Sequence, residues 1–210
     1  MLEHWADDVF FNKADRVKLR ESFGLKDKFV ILFVGRVDRE KHCNVLMDIS
    51  NRLKEEKDFY FIFIGVGELA NQLKNLEKTN NNIRYLNYIG SKEELSKYYK
   101  AADLLWSYAD ETYLAKPAVE SLASGTPILI PDVPALIKKA KEKISINTSL
   151  VPKEIGWIVD KENLNEIIKL IIGLKENHLI LKKMKNNCYK FALERHSKKN
   201  IEFAIKMLSQ

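Results

Sequence analysis

The fold of this chain is decided by one segment near its middle, Asp103-Leu-Leu-Trp-Ser-Tyr-Ala-Asp-Glu-Thr-Tyr-Leu-Ala-Lys-Pro-Ala-Val-Glu-Ser-Leu-Ala-Ser-Gly-Thr-Pro-Ile-Leu-Ile130. Its two apolar ends predict β-strands, and the polar residues after the first strand predict a loop. Pro117 suits the first turn of a helix, and Gly125 suits the C-terminal end of that helix. The segment therefore predicts strand, loop, helix and strand in succession.

The same alternation recurs on both sides of this segment. The runs at residues 29–34 and 59–64 are apolar throughout, which is typical of strands buried on both faces of a parallel sheet. Shorter strands are predicted at residues 83–87 and 156–160. Helical periodicity is found at residues 16–24, 44–53, 69–78, 91–100, 163–174, 178–193 and 197–208. The alternation predicts an α/β fold with an open, mostly parallel sheet, helices on both faces and a helical C-terminal tail from about residue 162.

The composition is that of a soluble globular protein, with 46% hydrophobic and 30% charged residues. No apolar run reaches the roughly 20 residues that a membrane-spanning helix needs, and the first residues lack a signal-peptide pattern. Cys43 and Cys188 lie too far apart for a metal or redox motif and are interpreted as reduced thiols. We therefore expect a cytoplasmic protein, with peripheral contact at the inner face of the membrane as the alternative.

The formal net charge is +6, and much of the excess lies in lysine-rich runs at residues 138–143, 182–185 and 198–199. Such runs are usually solvated helix faces, although they also attract anionic ligands or anionic lipid. No aromatic residues interleave these lysines as a base-stacking surface requires. Nucleic acid is therefore not an expected partner.

Four features are predicted to meet at the carboxyl ends of the strands, where open α/β sheets bind ligands. The first of them follows the strand at residues 29–34. Gly35 allows a sharp turn there, and Arg36 and Lys41 bring two positive charges close to a helix N-terminus. This combination suits a phosphate or a diphosphate. The alternative is that Arg36 pairs with a carboxylate of the protein and Lys41 is solvated.

Two further features are glycine turns. Gly65 and Gly67 follow the strand at residues 59–64 and permit a close backbone approach, and Gly90 follows the strand at residues 83–87. The alternative is an ordinary strand-to-helix turn. The dinucleotide-binding motif Gly-x-Gly-x-x-Gly is incomplete because position 70 is alanine, so a dehydrogenase is disfavoured.

The fourth feature is an acidic pair, Glu111 and Glu120. Glu120 is predicted in the first turn of its helix, where the dipole favours a negative charge and a carboxylate can accept hydrogen bonds from a ribose diol. Glu111 lies in the preceding loop and is expected to bind hydroxyl groups of a donor sugar. The alternatives are a dipole-stabilising surface acid and a solvated loop acid. The backbone amides from Ala115 to Ala118 are expected to face a phosphate.

These motifs resemble, in order, those of the family 4 retaining glycosyltransferases. The resemblance includes their Gly-Arg-Leu…Glu-Lys signature, the turn after their second strand, the segment before their acidic motif, the second half of that motif and the lead-in to their C-terminal domain. The corresponding segments are Gly35-Arg-Val-Asp-Arg-Glu-Lys41, Ile64-Gly-Val-Gly-Glu68, Tyr88-Ile-Gly90 with residues 95–103, Glu120-Ser-Leu-Ala-Ser-Gly-Thr-Pro127, and Trp5-Ala-Asp-Asp-Val-Phe-Phe-Asn12.

The resemblance covers nearly the whole chain and implies the Rossmann-like, donor-binding C-terminal half of a GT-B fold. Residues 1–210 are expected to form this single domain, without the N-terminal half that binds the acceptor. The resemblance implies that Arg36 and Lys41 contact the donor diphosphate, that Glu120 contacts the ribose, and that no metal or other cofactor is needed. The implied partners are a nucleoside-diphosphate sugar and a separate acceptor-binding domain or partner chain.

The chain departs from the family pattern at two places. The family has seven residues between its two acids, whereas eight lie between Glu111 and Glu120, so Thr112 occupies the expected position of the first acid. The glycines that follow this acid in the family are absent, and Lys116 is expected to bring another positive charge to the phosphates. Near the first motif, His42 stands where the family has glycine.

Three functions remain open from the sequence. The leading hypothesis is the donor-binding domain of a retaining glycosyltransferase that moves a hexose from a nucleoside-diphosphate sugar to a glycan or lipid-linked acceptor, and that is inactive as an isolated domain. The altered acid spacing favours, as a second hypothesis, a non-catalytic nucleotide-sugar-binding or partner subunit. The third hypothesis is a GT-B-like sugar-nucleotide epimerase.

Overall fold

The structure, a computed structural model, describes residues 4–108, 113–131 and 151–200. Strands and helices alternate along the chain as the sequence predicts. The strands are β1 (Phe29–Val34), β2 (Phe59–Ile64), β3 (Ile83–Leu86), β4 (Leu104–Trp106), β5 (Ile128–Pro131) and β6 (Gly156–Val159). The helices are α1 (Asp8–Phe11), α2 (Arg16–Ser22), α3 (Cys43–Arg52), α4 (Ala70–Thr79), α5 (Lys92–Ala101), α6 (Lys116–Ala123), α7 (Leu164–Glu176) and α8 (His178–Arg195).

The six strands form one sheet in the order β3-β2-β1-β4-β5-β6, and every pair of neighbours is parallel. The prediction of an open parallel sheet is confirmed. The chain proceeds from β1 through β2 to β3, then returns to place β4 on the other side of β1. The direction of winding therefore reverses between β1 and β4. Such a switch point, at the carboxyl ends of the strands, is where doubly wound sheets bind their ligands.

Both faces of the sheet are buried, which explains why its strands are apolar throughout. In β1, Val30 and Leu32 pack into one core, and Ile31 and Phe33 pack into the other. Helices α5, α6 and α8 cover the first face, whereas α3, α4 and α7 cover the second. Each fully buried leucine or phenylalanine contributes about 1.5–3 kcal/mol, so these two cores are the main source of stability.

The tail is helical as predicted, but one of its lysine runs is not a solvated face. Lys185 on α8 donates to the Ala102 carbonyl at 2.9 Å and lies 3.7 Å from Asp103. The prediction of solvation is wrong for Lys185, because this lysine faces the loop between α5 and β4. The run at residues 138–143 and the end of the helix predicted at 197–208 lie outside the described residues.

The N-terminal segment is attached beside α8 rather than extended into solvent. Ala6 forms an isolated parallel bridge with Ser197, and its amide donates to the His196 carbonyl at 2.9 Å. Asp7 lies 2.6 Å from the Lys92 ammonium and 2.8 Å from that of Lys198. These contacts place residues 4–8 next to the start of α5.

Within the described ranges, no helix combines the length and apolar character that crossing a membrane requires.

Candidate functional site

The loop after β1 is fixed against the loop after β2, and this contact explains two of the predicted glycines. The Gly35 amide donates to the Ile64 carbonyl at 3.0 Å. A Cβ atom at Gly65 would lie 1.8 Å from the Gly35 oxygen, and one at Gly67 would lie 2.6 Å from the Val37 oxygen. Close backbone approach is therefore confirmed at both positions, and the approaching group is the protein's own loop.

Arg36 has an exposed side chain that already has carboxylate partners. Its Nε lies 3.3 Å from Asp38 Oδ2, and a terminal nitrogen donates to Glu40 Oε2 at 2.7 Å. The hydrogen bond to Glu40 and the charge of Asp38 raise the pKa of Arg36. The alternative of a carboxylate pair is thus correct for Arg36. The Glu40 contact is an exposed ion pair, which solvent screening weakens and a phosphate group can replace.

Lys41 extends across the switch point. Its ammonium nitrogen lies 3.9 Å from the ring centroid of Tyr108, which follows β4. A lysine over an aromatic ring gains about 0.5–1 kcal/mol even at an exposed site. The alternative of a solvated lysine is therefore wrong for Lys41. The contact places a positive charge between the loops that follow two neighbouring strands, β1 and β4.

The turn that presents Lys41 ends in a left-handed residue, His42, with φ of 55°. This conformation explains why glycine fits here in the resembling family, and histidine is among the other residues enriched in it. The Trp106 indole nitrogen donates to the His42 carbonyl at 3.2 Å and so fixes the turn from β4. Burial, followed by the charges of Lys161 and Lys41, lowers the pKa of His42. This shift disfavours the protonated, positively charged form of His42.

Glu120 is a buried acid on α6, with 6% of its surface exposed. The predicted first-turn position is wrong, because α6 begins at Lys116 and its first turn contains no acidic residue. The fully buried Tyr99 donates its hydroxyl to Glu120 Oε2 at 3.1 Å. Burial raises the pKa of Glu120, although the Tyr99 hydroxyl and the charge of Lys116 act in the opposite direction. The surface-acid alternative is therefore excluded, and the helix-dipole argument does not apply.

The N-terminus of α6 lies in the same region. Ala115 precedes the helix, Lys116 begins it, and Pro117 occupies the first turn as predicted. The Ala118 amide donates to the Ala115 carbonyl at 2.9 Å and so has a partner inside the helix, whereas a phosphate contact of the Ala115 and Lys116 amides stays a prediction. The Lys116 ammonium lies 5.9 Å from the ring centroid of Trp5. Lys116 thus brings a positive charge to the surroundings of Glu120, where it acts on the pKa of that acid.

The remaining predicted residues are less constrained by the structure. Gly90 lies at the carboxyl edge after β3, and an added Cβ there would meet only the Tyr88 ring, at 3.4 Å. Glu111 and Thr112 lie outside the described residues, so the choice between them remains a prediction. In the part of the chain that the structure describes, no three acidic, histidine or cysteine side chains are grouped as metal ligands.

Sequence reasoning missed the residues that support this site. Asp38, Trp106 and Tyr108 all lie inside segments quoted for other reasons, and Tyr99 lies in the helix before β4. The signal for Trp106 and Tyr108 was their position at the end of a predicted strand, at the ligand-binding edge of the sheet. Which partner they cover depends on sheet order, and the Trp106–His42 contact joins positions 64 residues apart.

The arrangement brings the exposed Arg36 and the half-buried Lys41 to the switch point, and the buried carboxylate of Glu120 lies on α6, the helix that follows β4. Arg36 offers a planar donor group for phosphate oxygens, and Lys41 offers a point charge. Glu120 offers hydrogen-bond acceptors of the kind that bind hydroxyl groups. Such a set is suited to a ligand that carries both a diphosphate and a ribose.

Comparison with known proteins places the chain in a family. The family described as Glycosyl transferases group 1 matches residues 15–192. The alpha-monoglucosyldiacylglycerol synthase of Streptococcus pneumoniae is 32% identical over 139 residues, which are 63% of this chain and 31% of that protein. The C-terminal domain of a group 1 family glycosyl transferase (LpcC) from Francisella tularensis has a TM-score of 0.70 at 19% identity, covering 91% of this chain and 97% of that one. Anabaena Alr3699/HepE in complex with UDP-glucose has a TM-score of 0.73 at 18% identity, covering 98% of this chain and 56% of that one.

The chain spans 42%, 31% and 43% of the lengths of three curated relatives that it matches. The two solved structures share its α/β fold. The family match extends from α2 to α8 and includes every strand of the sheet. The chain belongs to the glycosyl transferases group 1 family.

Proposed function

We propose that this chain is the donor-binding, C-terminal domain of a retaining glycosyltransferase that uses a nucleoside-diphosphate hexose. The observation that carries the proposal is the position of Lys41 across the switch point, beside Tyr108, on the same loop as the exposed Arg36. Two cations on one loop, at the edge where doubly wound sheets bind nucleotides, are suited to the two phosphates of the donor.

The same cations account for the proposed chemistry. When the bond between the anomeric carbon and the diphosphate breaks, negative charge develops on the leaving oxygen. Arg36 and Lys41 stabilise that charge more strongly than they stabilise the intact donor, which lowers the barrier. The acceptor oxygen then bonds to the anomeric carbon while its proton passes to the departing diphosphate, and we propose that the sugar is transferred with retention of configuration.

Glu120 is proposed to bind the ribose. A carboxylate accepts hydrogen bonds from both hydroxyl groups of a diol, and Tyr99 holds one oxygen of Glu120 in place. This interaction requires an ionised acid. Burial raises the pKa of Glu120 and so opposes that ionisation. The nearby Lys116 favours the ionised form.

The donor sugar and the acceptor are assigned to other parts of the protein. Glu111 or Thr112 is proposed to contact the sugar, and the acceptor is proposed to bind a second domain or a partner chain. A glycan or a lipid-linked sugar is the proposed acceptor, and the lipid-linked case includes peripheral contact with the membrane at its cytoplasmic face. Support comes from the names of relatives, which include a monoglucosyldiacylglycerol synthase and a galactosyltransferase that acts on a diphosphoundecaprenol-linked sugar.

Calorimetric titration with UDP, GDP and ADP, and with a hexose conjugate of each, tests nucleotide binding. We expect one base to be preferred, and we expect Arg36→Ala and Glu120→Ala each to weaken binding about tenfold or more. Arg84→Ala is the matched control, because Arg84 is 59% exposed and also pairs with a carboxylate, Glu77, at 3.4 Å. If the Arg36 and Glu120 variants bind as tightly as the control, the site assignment is wrong.

A separate assay tests the proposal that the domain is inactive alone. The 210-residue chain is incubated with the preferred donor and with oligosaccharide or lipid-linked acceptors, and the products are separated by mass. We expect no transfer, because the acceptor site is proposed to lie elsewhere. Sustained transfer by this chain would contradict the proposal that the acceptor binds another domain or chain, but it would not contradict the proposed nucleotide site.

A further inference from the structure

We propose that Asp38 is a positioning residue that holds both phosphate-binding cations, Arg36 and Lys41, in place. This proposal rests on the proposed function, because it assigns a role within the same site. Asp38 lies between the two cations in the chain and is 9% exposed. No part of the nucleotide-binding chemistry described above assigns it a contact with the ligand.

Each oxygen of the Asp38 carboxylate has a different partner. Oδ2 lies 3.3 Å from Arg36 Nε, and Oδ1 accepts the backbone N–H of Lys41 at 2.9 Å. The backbone of Asp38 adds a further contact, since its carbonyl accepts the Cys43 amide at 3.2 Å at the start of α3. One residue therefore connects the guanidinium, the turn that carries Lys41 and the helix that follows.

The second carboxylate on Arg36 provides an internal comparison. Both Asp38 and Glu40 contact the guanidinium, but their side chains are 12% and 76% exposed respectively. The Glu40 pair is in solvent, so screening weakens it and a ligand can displace it. The Asp38 carboxylate itself is shielded and is anchored by the Lys41 amide, so the exposed guanidinium contacts an acid whose position is fixed. Asp38 therefore fixes the Nε side of the guanidinium and leaves the terminal nitrogens for a phosphate.

Positioning of this kind matters because binding sites lose affinity when their charged groups must be ordered on ligand binding. A free arginine side chain loses substantial rotamer entropy when a phosphate immobilises it. Asp38 restricts the side chain of Arg36 before the nucleotide binds. Its removal is expected to weaken nucleotide binding even though it removes a negative charge from the phosphate site.

This sign separates positioning from a simple field effect. If Asp38 acted only as a nearby negative charge, Asp38→Asn would bind a nucleoside diphosphate more tightly than the wild type. If Asp38 positions Arg36, the same variant binds more weakly, by about threefold to tenfold. Asp38→Ala, which also removes the acceptor for the Lys41 amide, is expected to be weaker still. Glu40→Gln is the matched control and should bind as tightly as the wild type or more tightly.

A double-mutant cycle completes the test, with calorimetric titration of UDP, GDP or ADP, whichever the wild type prefers. Because Asn can still accept the Lys41 amide, the effect of Asp38→Asn should pass through Arg36 and disappear in the Arg36→Ala background. Thermal unfolding of each variant identifies any that fail to fold, and the Asp38→Asn cycle decides the matter if Asp38→Ala is unstable.

The possible outcomes separate this proposal from the proposed function. If the wild type binds nucleotide and Asp38→Asn binds equally or more tightly, Asp38 is not a positioning residue and the proposed function stands. If Asp38→Asn weakens binding equally with and without Arg36, the role through Arg36 is also overturned. If the wild type binds none of the three nucleotides, the proposed function and the role of Asp38 both fail.

Discussion

Two groups of cations lie at opposite edges of the same sheet and differ in how their charges are satisfied. At the amino edge, Arg16, Arg20 and Lys185 surround Asp103, with nitrogen–oxygen distances of 2.6, 3.0 and 3.7 Å. These three side chains also donate to carbonyl groups at the C-terminal end of α5, and Arg20 donates in addition to the Lys28 carbonyl. A helix leaves its last carbonyls without intrahelical partners, so these cations stabilise the fold.

The cations at the carboxyl edge are satisfied far less completely. The side chain of Arg36 is 62% exposed, whereas that of Arg20 is 9% exposed. Lys41 rests on an aromatic ring rather than on a buried acid. The partners of a cation, more than its charge, therefore separate the two roles. Cations saturated by buried acids and carbonyls serve structure, and cations with a displaceable partner are available to a ligand.

Two buried acids show the same contrast in their pKa values. Burial alone would raise the pKa of Asp103, but the charges of Lys185, Arg16 and Arg20 outweigh it and lower the pKa. Burial raises the pKa of Glu120, which has a tyrosine hydroxyl as its hydrogen-bond donor and only more distant positive charges. Asp103 therefore stabilises the fold when ionised, whereas Glu120 makes the fold less stable when ionised.

The largest expected effect comes from removing the acid at the amino edge. Asp103→Ala leaves three cations without their buried partner, which we expect to lower the free energy of unfolding by about 3–5 kcal/mol. Urea unfolding measures the loss. Asp58→Asn is the control, because Asp58 is 60% exposed and an exposed ion pair such as the one it forms with Lys175 contributes little to stability.

We also expect the loss of stability in Asp103→Ala to leave the nucleotide site at the carboxyl edge unchanged. At temperatures where Asp103→Ala is folded, its nucleotide affinity should stay within about twofold of the wild type. If Asp103→Ala were as stable as the wild type but bound nucleotide poorly, the roles assigned to the two edges would be wrong.

A smaller effect is expected when the aromatic partner of Lys41 is removed. Tyr108→Leu keeps an apolar side chain but removes the ring face, and it should weaken nucleotide binding about threefold to fivefold. Tyr108→Phe keeps the ring face and is the matched control, so it should bind more tightly than Tyr108→Leu. Calorimetric titration compares the two. Equal affinities would show that the ring does not direct Lys41 to the ligand.

The smallest effect concerns the buried acid at the carboxyl edge. Since the folded-state pKa of Glu120 is raised, the wild type loses stability as pH rises from the ordinary glutamate range through that raised value. Glu120→Gln has no such loss, so its Tm should exceed that of the wild type by about 1–3 °C at pH 7 and converge with it near pH 4. Differential scanning calorimetry across this range measures the gap. A gap that widens toward low pH would contradict the assigned pKa direction.

Much of the fold was predictable because its signals are local. The runs at residues 29–34 and 59–64 predict β1 and β2 with the correct bounds, because a glycine follows each of them. Gly35 lies in the turn after β1, and Gly65 is required because its backbone approaches that of Gly35. The site was predictable only in part. Arg36, Lys41 and Glu120 stand out by charge and position, whereas Asp38 and Tyr108 act through contacts that depend on the loop's path and the order of the strands. Pro117 suits either of the first two helical positions, so it does not fix where α6 begins. The helix begins at Lys116, and Glu120 therefore lies beyond the first turn.

The central claim is that the cations of the carboxyl edge bind a nucleoside diphosphate while those of the amino edge do not. Calorimetric titration of the wild type and of the Arg36→Ala/Lys41→Ala double variant with UDP, GDP and ADP tests it most directly. We expect the preferred nucleotide to bind at least about 100-fold more weakly to the double variant, with thermal unfolding unchanged and binding to Arg84→Ala unaffected. Undiminished binding by the double variant would contradict the claim.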